Sequence, residues 1–232
     1  MSNALMPHLP AAEVFALADA VELRTNRVMS LTAYRVGVDS VVVFSFDAGE
    51  GISQEVLEED CLYWVLAGES VMDAGGRRLA MRGGDCFVVP AGAAHAMAMT
   101  TPTKVAALTV GWPQEGGRTM ANGLMKNIEK GEVTGLNDLV AVEKNQVASV
   151  TLAQKDNLTV TVFAFDAGTG IGPHTSNGDA MVNAIDGEGE ITIGADKFTV
   201  KAGQSIVMPA GIPHAVNARD KTFKMLLIVV KP

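Results

Sequence analysis

Two histidines carry the clearest chemical signal in this 232-residue chain. His214 follows Pro209 and Gly211 in the segment GQSIVMPAGIPHAVN. Proline fixes φ and glycine tolerates φ > 0, so the pair turns the chain sharply between two strands and delivers one imidazole to a defined place. His174 lies upstream in GTGIGPHTSNGDAMVNAIDG, between Gly168 and Gly187, at a spacing that would bring a second imidazole from a neighbouring strand. Imidazoles with pKa values near neutral can ligate a metal, move protons or line a polar pocket. No Ser-His-Asp order, phosphate-binding loop or CxxC pair is present.

The pattern occurs twice. Gly84, Pro90, Gly92 and His95 repeat Gly203, Pro209, Gly211 and His214, each pair 119 residues apart (214 − 95 = 119). The same offset aligns Asp47-Ala48-Gly49 with Asp166-Ala167-Gly168, Gly68-Glu69 with Gly187-Glu188, Glu13-Val14 with Glu132-Val133 and Pro113 with Pro232, without a gap. Solenoid repeats run roughly 20–50 residues, so a period this long marks a duplicated domain. The expected domains are residues 9–113 and 128–232, joined by a linker at 114–127.

The doubled glycine–proline–histidine motif resembles the two-domain cupins, or bicupins, of the RmlC-like superfamily, and the resemblance covers most of the chain. It implies an all-β fold: two tandem cupin jelly-roll β-barrels from an internal duplication, each with a metal or ligand pocket between its two motifs. Metal-binding cupins commonly take two His and a Glu from the first motif and one His from the second. Carried onto the second half, those positions hold His174, Ser176, Ala180 and His214. Asp179 stands one residue before the missing Glu. In a loop its carboxylate could turn inward and complete a two-His, one-carboxylate set; on a strand it faces away from residue 180. The expected metal ligands are therefore His174, His214 and Asp179, for a divalent ion such as Zn, Fe, Mn or Ni.

In the first half the same positions hold Glu55, Leu57, Cys61 and His95. Glu55, Cys61 and His95 make the expected pocket of a degenerate site. The resemblance also implies a metal-free option, since some cupins, such as sugar epimerases, pair a His base with a carboxylate or Tyr. Tyr34 and Tyr63, the only tyrosines, both lie in the first half. No catalytic residue is assigned. The implied function is small-molecule binding, with or without a metal, in the C-terminal barrel. The alternatives are a cupin enzyme (dioxygenase, isomerase or lyase) acting on a small polar or aromatic compound, and a structural or sensory module without chemistry.

Composition narrows the partners. A net charge of −8 argues against general affinity for nucleic acid or anionic membranes, and 48% hydrophobic residues fit a globular chain. No apolar run approaches the roughly 20 residues that span a bilayer, and the N-terminus lacks the order of a signal peptide. Cys61 and Cys86 read as reduced thiols, and a cytoplasmic location is expected, with a homodimer left open.

Short strands must position these residues. Val41 to Phe46, Leu62 to Leu66, Cys86 to Val89 and Val105 to Val110 are β-branched or apolar runs, and Gly75-Gly76 marks a hairpin. In the second half Leu158 to Asp166, Ala180 to Ile185, Glu190 to Ile193, Phe198 to Val200, Ser205 to Met208 and Phe223 to Val230 read alike. Ala11 to Leu23 reads as a turn followed by a strand. One or two helical turns are expected near Met120 to Glu129. The segments near Val21 to Thr32 and Val140 to Thr151 are expected as edge strands through which each half covers the other.

Overall fold

The β-branched and aromatic runs do become strands. The computed structural model describes residues 4–111 and 124–232, and these are almost entirely antiparallel β. Pro113 and residues 114–123 of the expected linker lie outside the described residues, as does the start of the helix expected near Met120. Residues 124–129 are not helical. Among the described residues no helix is long and apolar enough to cross a membrane.

The chain forms two compact units. The first is Ala18–Leu136; the second joins the residues up to Leu17 with Asn137–Pro232. The first unit has a six-stranded sheet in the order Val133–Gly135, Asp85–Val89, Asp60–Ala67, Thr103–Val110, Asp39–Phe46, Val28–Val36. Its four-stranded partner runs Gly51–Val56, Ala94–Met99, Glu69–Ala74, Arg77–Arg82. The second unit repeats the plan as Val14–Phe15, Ser205–Met208, Asp179–Ile193, Phe223–Val230, Leu158–Phe165, Val147–Gln154. The runs expected at Ala180 to Ile185 and Glu190 to Ile193 fuse into one strand, Asp179–Ile193. Its far end pairs with Asp196–Lys201 and with His214–Asn217, which in turn pairs with Gly170–His174.

Alternation along these strands fills each interior. The first core gathers Phe46, Tyr63, Phe87, Met72 and Met97; the second gathers Phe165, Val182, Ile191, Ile206 and Phe223. Phe165 and Phe223 pack with ring centroids 5.7 Å apart.

The outermost strand of each six-stranded sheet is borrowed. Val14–Phe15 pairs with Ser205–Met208, and Val133–Gly135 pairs with Asp85–Val89. Cross-covering was expected from Val21 to Thr32 and Val140 to Thr151; it is the segments upstream of these that cross. Val28–Val36 and Val147–Gln154 are the last strands of their sheets. Ala11 to Leu23 also differs from expectation: the short strand comes first, and a 3-10 turn at Leu17–Ala20 follows.

A buried aspartate clasps each borrowed segment. Asp179 Oδ2 accepts hydrogen bonds from the amides of Leu5 (2.7 Å) and Met6 (3.3 Å), while Oδ1 accepts from Ala210 (2.9 Å). Asp60 Oδ2 accepts from the Met125 amide (2.9 Å) and Lys130 Nζ (2.8 Å), while Oδ1 accepts from Ala91 (3.1 Å). Asp60, Ala91 and Met125 have counterparts 119 positions apart, or back, at Asp179, Ala210 and Met6, so the duplication preserves the clasp. A carboxylate this buried is stable only when its lone pairs are filled, and here they are.

Candidate functional site

The two motif histidines of the second unit meet. The Pro209–Gly211 turn, with Gly211 at φ +76°, leads into the strand that begins at His214. The Gly211 amide donates to the Ser176 carbonyl (2.8 Å), stapling that turn to the loop just past His174. His174 and His214 are direct cross-strand partners. Their rings meet edge to face with centroids 4.5 Å apart.

The hydrogen bonds fix the tautomers. His174 Nδ1 bonds the Gly172 carbonyl at 3.0 Å, and His214 Nδ1 bonds the Ile212 carbonyl at 2.9 Å. A carbonyl only accepts, so each Nδ1 carries the proton and each neutral ring keeps its lone pair at Nε2. Burial holds the His214 pKa below its ordinary value; the charge of His174 adds to this, and the bond to Ile212 opposes it. His214 is buried and His174 exposed, so the pair spans the cavity from wall to mouth.

Both histidines line a cavity of about 600 Å³. Its apolar wall includes Phe163, Ile171, Met208, Met225, Leu227 and Val229, and Thr175, Ser176, Asn177 and Lys231 join the histidines as its polar groups. Asp179, expected as the third ligand, does not join them. It begins the strand Asp179–Ile193, so it faces away from Ala180, which lines the cavity. Its oxygens are filled by three backbone amides, two from the N-terminal segment (Leu5 and Met6) and one from Ala210 in the Pro–Gly turn. Among the described residues no group of three His, Cys, Asp or Glu side chains could hold a metal ion. Catalytic zinc and non-haem iron sites take three protein ligands, so two imidazoles fall short of a resident metal here.

The first unit arranges the same positions differently. Glu55 and His95 are cross-strand partners, at the register of His174 and His214. The Gly92 amide donates to the Leu57 carbonyl (2.7 Å), the counterpart of the other staple. Between Glu55 and His95 stands Tyr63, whose hydroxyl lies 2.9 Å from His95 Nε2 and 3.2 Å from Glu55 Oε1. Glu55 Oε1 is itself 3.4 Å from His95 Nε2. Burial pushes the Tyr63 phenol well above its ordinary pKa, helped by the charges of Cys61 and Glu55. Cys61, expected beside Glu55 and His95, lies buried next to Tyr63, and burial raises its thiol to about 12. Tyr63 stands in the sequence only as one of the two tyrosines of the first half and was not expected in the pocket with Glu55 and His95. Its signal was its place two residues after Cys61, on the same face of one strand.

The comparisons with known proteins agree with this architecture. The family described as "Cupin domain" matches residues 42–111 and 161–230, and the chain belongs to the cupin family, with one such domain in each half. A "Cupin 2 conserved barrel domain protein" from Leptotrichia buccalis is similar over 96% of this chain and 98% of its own, with a TM-score of 0.80 and 24% identity. Salicylate 1,2-dioxygenase from Pseudoaminobacter salicylatoxidans, solved as an adduct with gentisate, shares the fold at a TM-score of 0.63 and 13% identity, over 94% of this chain and 80% of that one. An uncharacterized protein of Streptomyces coelicolor is 25% identical over 88 residues, which is 38% of this chain and 84% of that protein.

Proposed function

We propose that the C-terminal barrel binds a small molecule with an apolar body and a polar head. The observation that carries this reading is the cavity of about 600 Å³ with two Nε2 lone pairs beside it. Ligand pockets commonly span about 300–1,000 Å³, mostly apolar with a few placed polar groups, and this one fits that description. The apolar body packs against Phe163, Met225 and Leu227, and the head bonds His174, His214 and Lys231. An aromatic or aliphatic acid has this character, and gentisate, which forms an adduct with the structurally similar dioxygenase, is one probe of the class.

The fixed tautomers favour a second reading, in which His174 and His214 take a divalent cation whose remaining donors come from the ligand. Enzymatic action would use the same pair: a neutral His214 beside a bound molecule is placed to accept a proton. The test is calorimetric titration of gentisate, benzoate and hexanoate into the full chain, with and without one equivalent of Zn²⁺. Saturable binding that disappears in His214→Ala and persists in His95→Ala supports the pocket. Binding only with Zn²⁺ selects the second reading. Binding unchanged by His214→Ala, or none with any probe, rejects both.

A further inference from the structure

We infer that residues 5–15 form a releasable strap on the second barrel, opening ahead of the rest of that unit, and that Asp179 couples its docking to the turn that delivers His214. The strap and its counterpart, residues 124–134, lie 119 positions apart and make matching backbone contacts. The Ala12 amide donates to the Val207 carbonyl (2.9 Å), and the Gly131 amide donates to the Val88 carbonyl (2.9 Å). Val14 pairs with Ile206 as Val133 pairs with Phe87. The side chains that latch the two segments differ.

Three latch positions of the first barrel are changed in the second. Gly131 bends its segment at φ +78°, whereas Ala12 takes the same bend at φ +53°. A residue with a Cβ is strained there, and glycine is not. Lys130 gives Asp60 an ammonium at 2.8 Å; the matching position near Asp179 is Ala11, which has none to give. Arg77 pairs with Glu132 at 2.9 Å and also donates to the Gly131 carbonyl. The matching residues are Asp196 and Glu13, two exposed carboxylates that repel rather than attract. An ion pair as exposed as Arg77–Glu132 holds weakly by itself, but all three changes act in one direction. The buried Met6 and Leu9 keep the strap docked in the resting fold, so the open form is a minor state reached while the core stays folded.

Opening reaches the pocket through one carboxylate. Asp179 Oδ2 holds the strap amides of Leu5 and Met6, and its Oδ1 holds Ala210, between Pro209 and Gly211. The strand that the strap pairs with, Ser205–Met208, ends at Met208 in the cavity wall. With the strap docked, Asp179 is fixed from both sides, and the turn with it. With the strap away, the carboxylate keeps one of its three donors and turns to water, and the turn loses its anchor. A ligand that needs His214 and Met208 in place therefore binds the docked form and holds the strap down. This last step rests on the pocket reading; the opening and its coupling to the turn do not.

Hydrogen–deuterium exchange of the full chain, read by mass spectrometry with rates corrected for sequence, tests each step. Residues 5–15 are expected to exchange at least about tenfold faster than residues 124–134. The variant Ala11→Lys/Ala12→Gly/Asp196→Arg, changed only at exposed positions, copies the first barrel's latch and should slow the strap about tenfold. Leu5→Pro removes one strap donor from Asp179 and should speed exchange of the strap, and with it of residues 210–212, by about threefold or more. Gentisate at about ten times its dissociation constant should slow the strap about tenfold and leave residues 124–134 unchanged. Equal protection of the two segments, or none gained in the triple variant, overturns the strap. Turn amides indifferent to Leu5→Pro overturn the coupling. Gentisate that binds without slowing the strap overturns the closing step. Absence of gentisate binding defeats the pocket reading alone, because the ligand-free comparisons decide the strap and its coupling without it.

Discussion

The two barrels are one design carrying different side chains at the same places. Offset by 119, Glu55 answers His174, Cys61 answers Ala180, Tyr63 answers Val182, and His95 answers His214. The strands, the stapled Pro–Gly turn and the aspartate clasp are common to both. In the second barrel Val182, buried in the core, and Ala180, which lines the cavity, sit where the first has a phenol and a thiol, and a mostly apolar cavity lies beside two imidazoles. In the first, the phenol occupies the interior and bridges the carboxylate to the imidazole. Two or three side chains thus set the chemistry, while the clasp and the turn set only where it happens.

The largest expected effect comes from breaking the shared part. Asp179→Ala leaves three amides without their acceptor, and each buried unsatisfied group costs about 1–3 kcal/mol. A loss of about 3 kcal/mol or more in the second unit is expected, lowering Tm by about 6 °C or more. Asp60→Ala costs less, because Lys130 keeps 25% of its side chain exposed and can turn to water. Thermal unfolding of both variants checks this, and equal losses would show that the two clasps carry the same weight.

Exchanging interior residues comes next. Tyr63→Val removes the phenol from the first core and is expected to cost about 2–3 kcal/mol, the scale of large-to-small core changes. The reverse change, Val182→Tyr, overpacks the second core by about 1–3 kcal/mol. It should also abolish binding of any probe that occupies the cavity. Calorimetry on the two variants shows whether position 63/182 is what separates the barrels; probe binding undiminished in Val182→Tyr would mean that the cavity owes its room to other residues.

A smaller effect is a pH dependence of the second barrel. The folded His214 pKa is depressed, so the unfolded chain binds the proton more tightly than the folded one. This contribution is fully present above the unfolded value of about 6.5 and is lost as pH falls from there through the lowered folded value. Melting curves between pH 8 and 5 should therefore fall more steeply in wild-type protein than in His214→Gln. Parallel curves would remove the role given to burial.

Much of this comparison was legible in the sequence, because it is written in local signals. The Pro–Gly turns, the offset of 119 and the alternating strands fix two equivalent frames, and the His174–His214 register follows from them. The clasp was not legible: Asp179 bonds Leu5 and Met6, which are 174 and 173 residues away, and nothing within one repeat points to them. Asp179 therefore looked like a ligand when read only against its neighbours. The cluster in the first barrel was half legible. Glu55, Cys61 and His95 stood at pocket positions, but treating that half as degenerate hid that Glu at 55 and Tyr at 63 complete one another.

The smallest effect gives the first barrel a private reporter. Both cysteines lie there, and burial raises each thiol to about 12, with Asp85 adding to the shift at Cys86. At pH 8 the thiolate fraction is then roughly three orders of magnitude below that of a free cysteine. A thiol reagent should leave the folded protein unlabelled for as long as the first barrel stays closed. Cys86 Sγ contacts the Thr134 carbonyl at 3.2 Å, and Thr134 belongs to the borrowed strand Val133–Gly135. Asp60 holds the chain just before that strand, at Met125 and Lys130. Asp60→Ala should therefore speed labelling of Cys86 ahead of Cys61, which lies on the inner strand Asp60–Ala67. Asp179→Ala, acting in the other unit, should change neither rate. Mass spectrometry of timed, labelled samples resolves the two sites. Simultaneous labelling of both cysteines would mean that the barrel opens as a whole, and acceleration by Asp179→Ala would mean that the two units do not open independently.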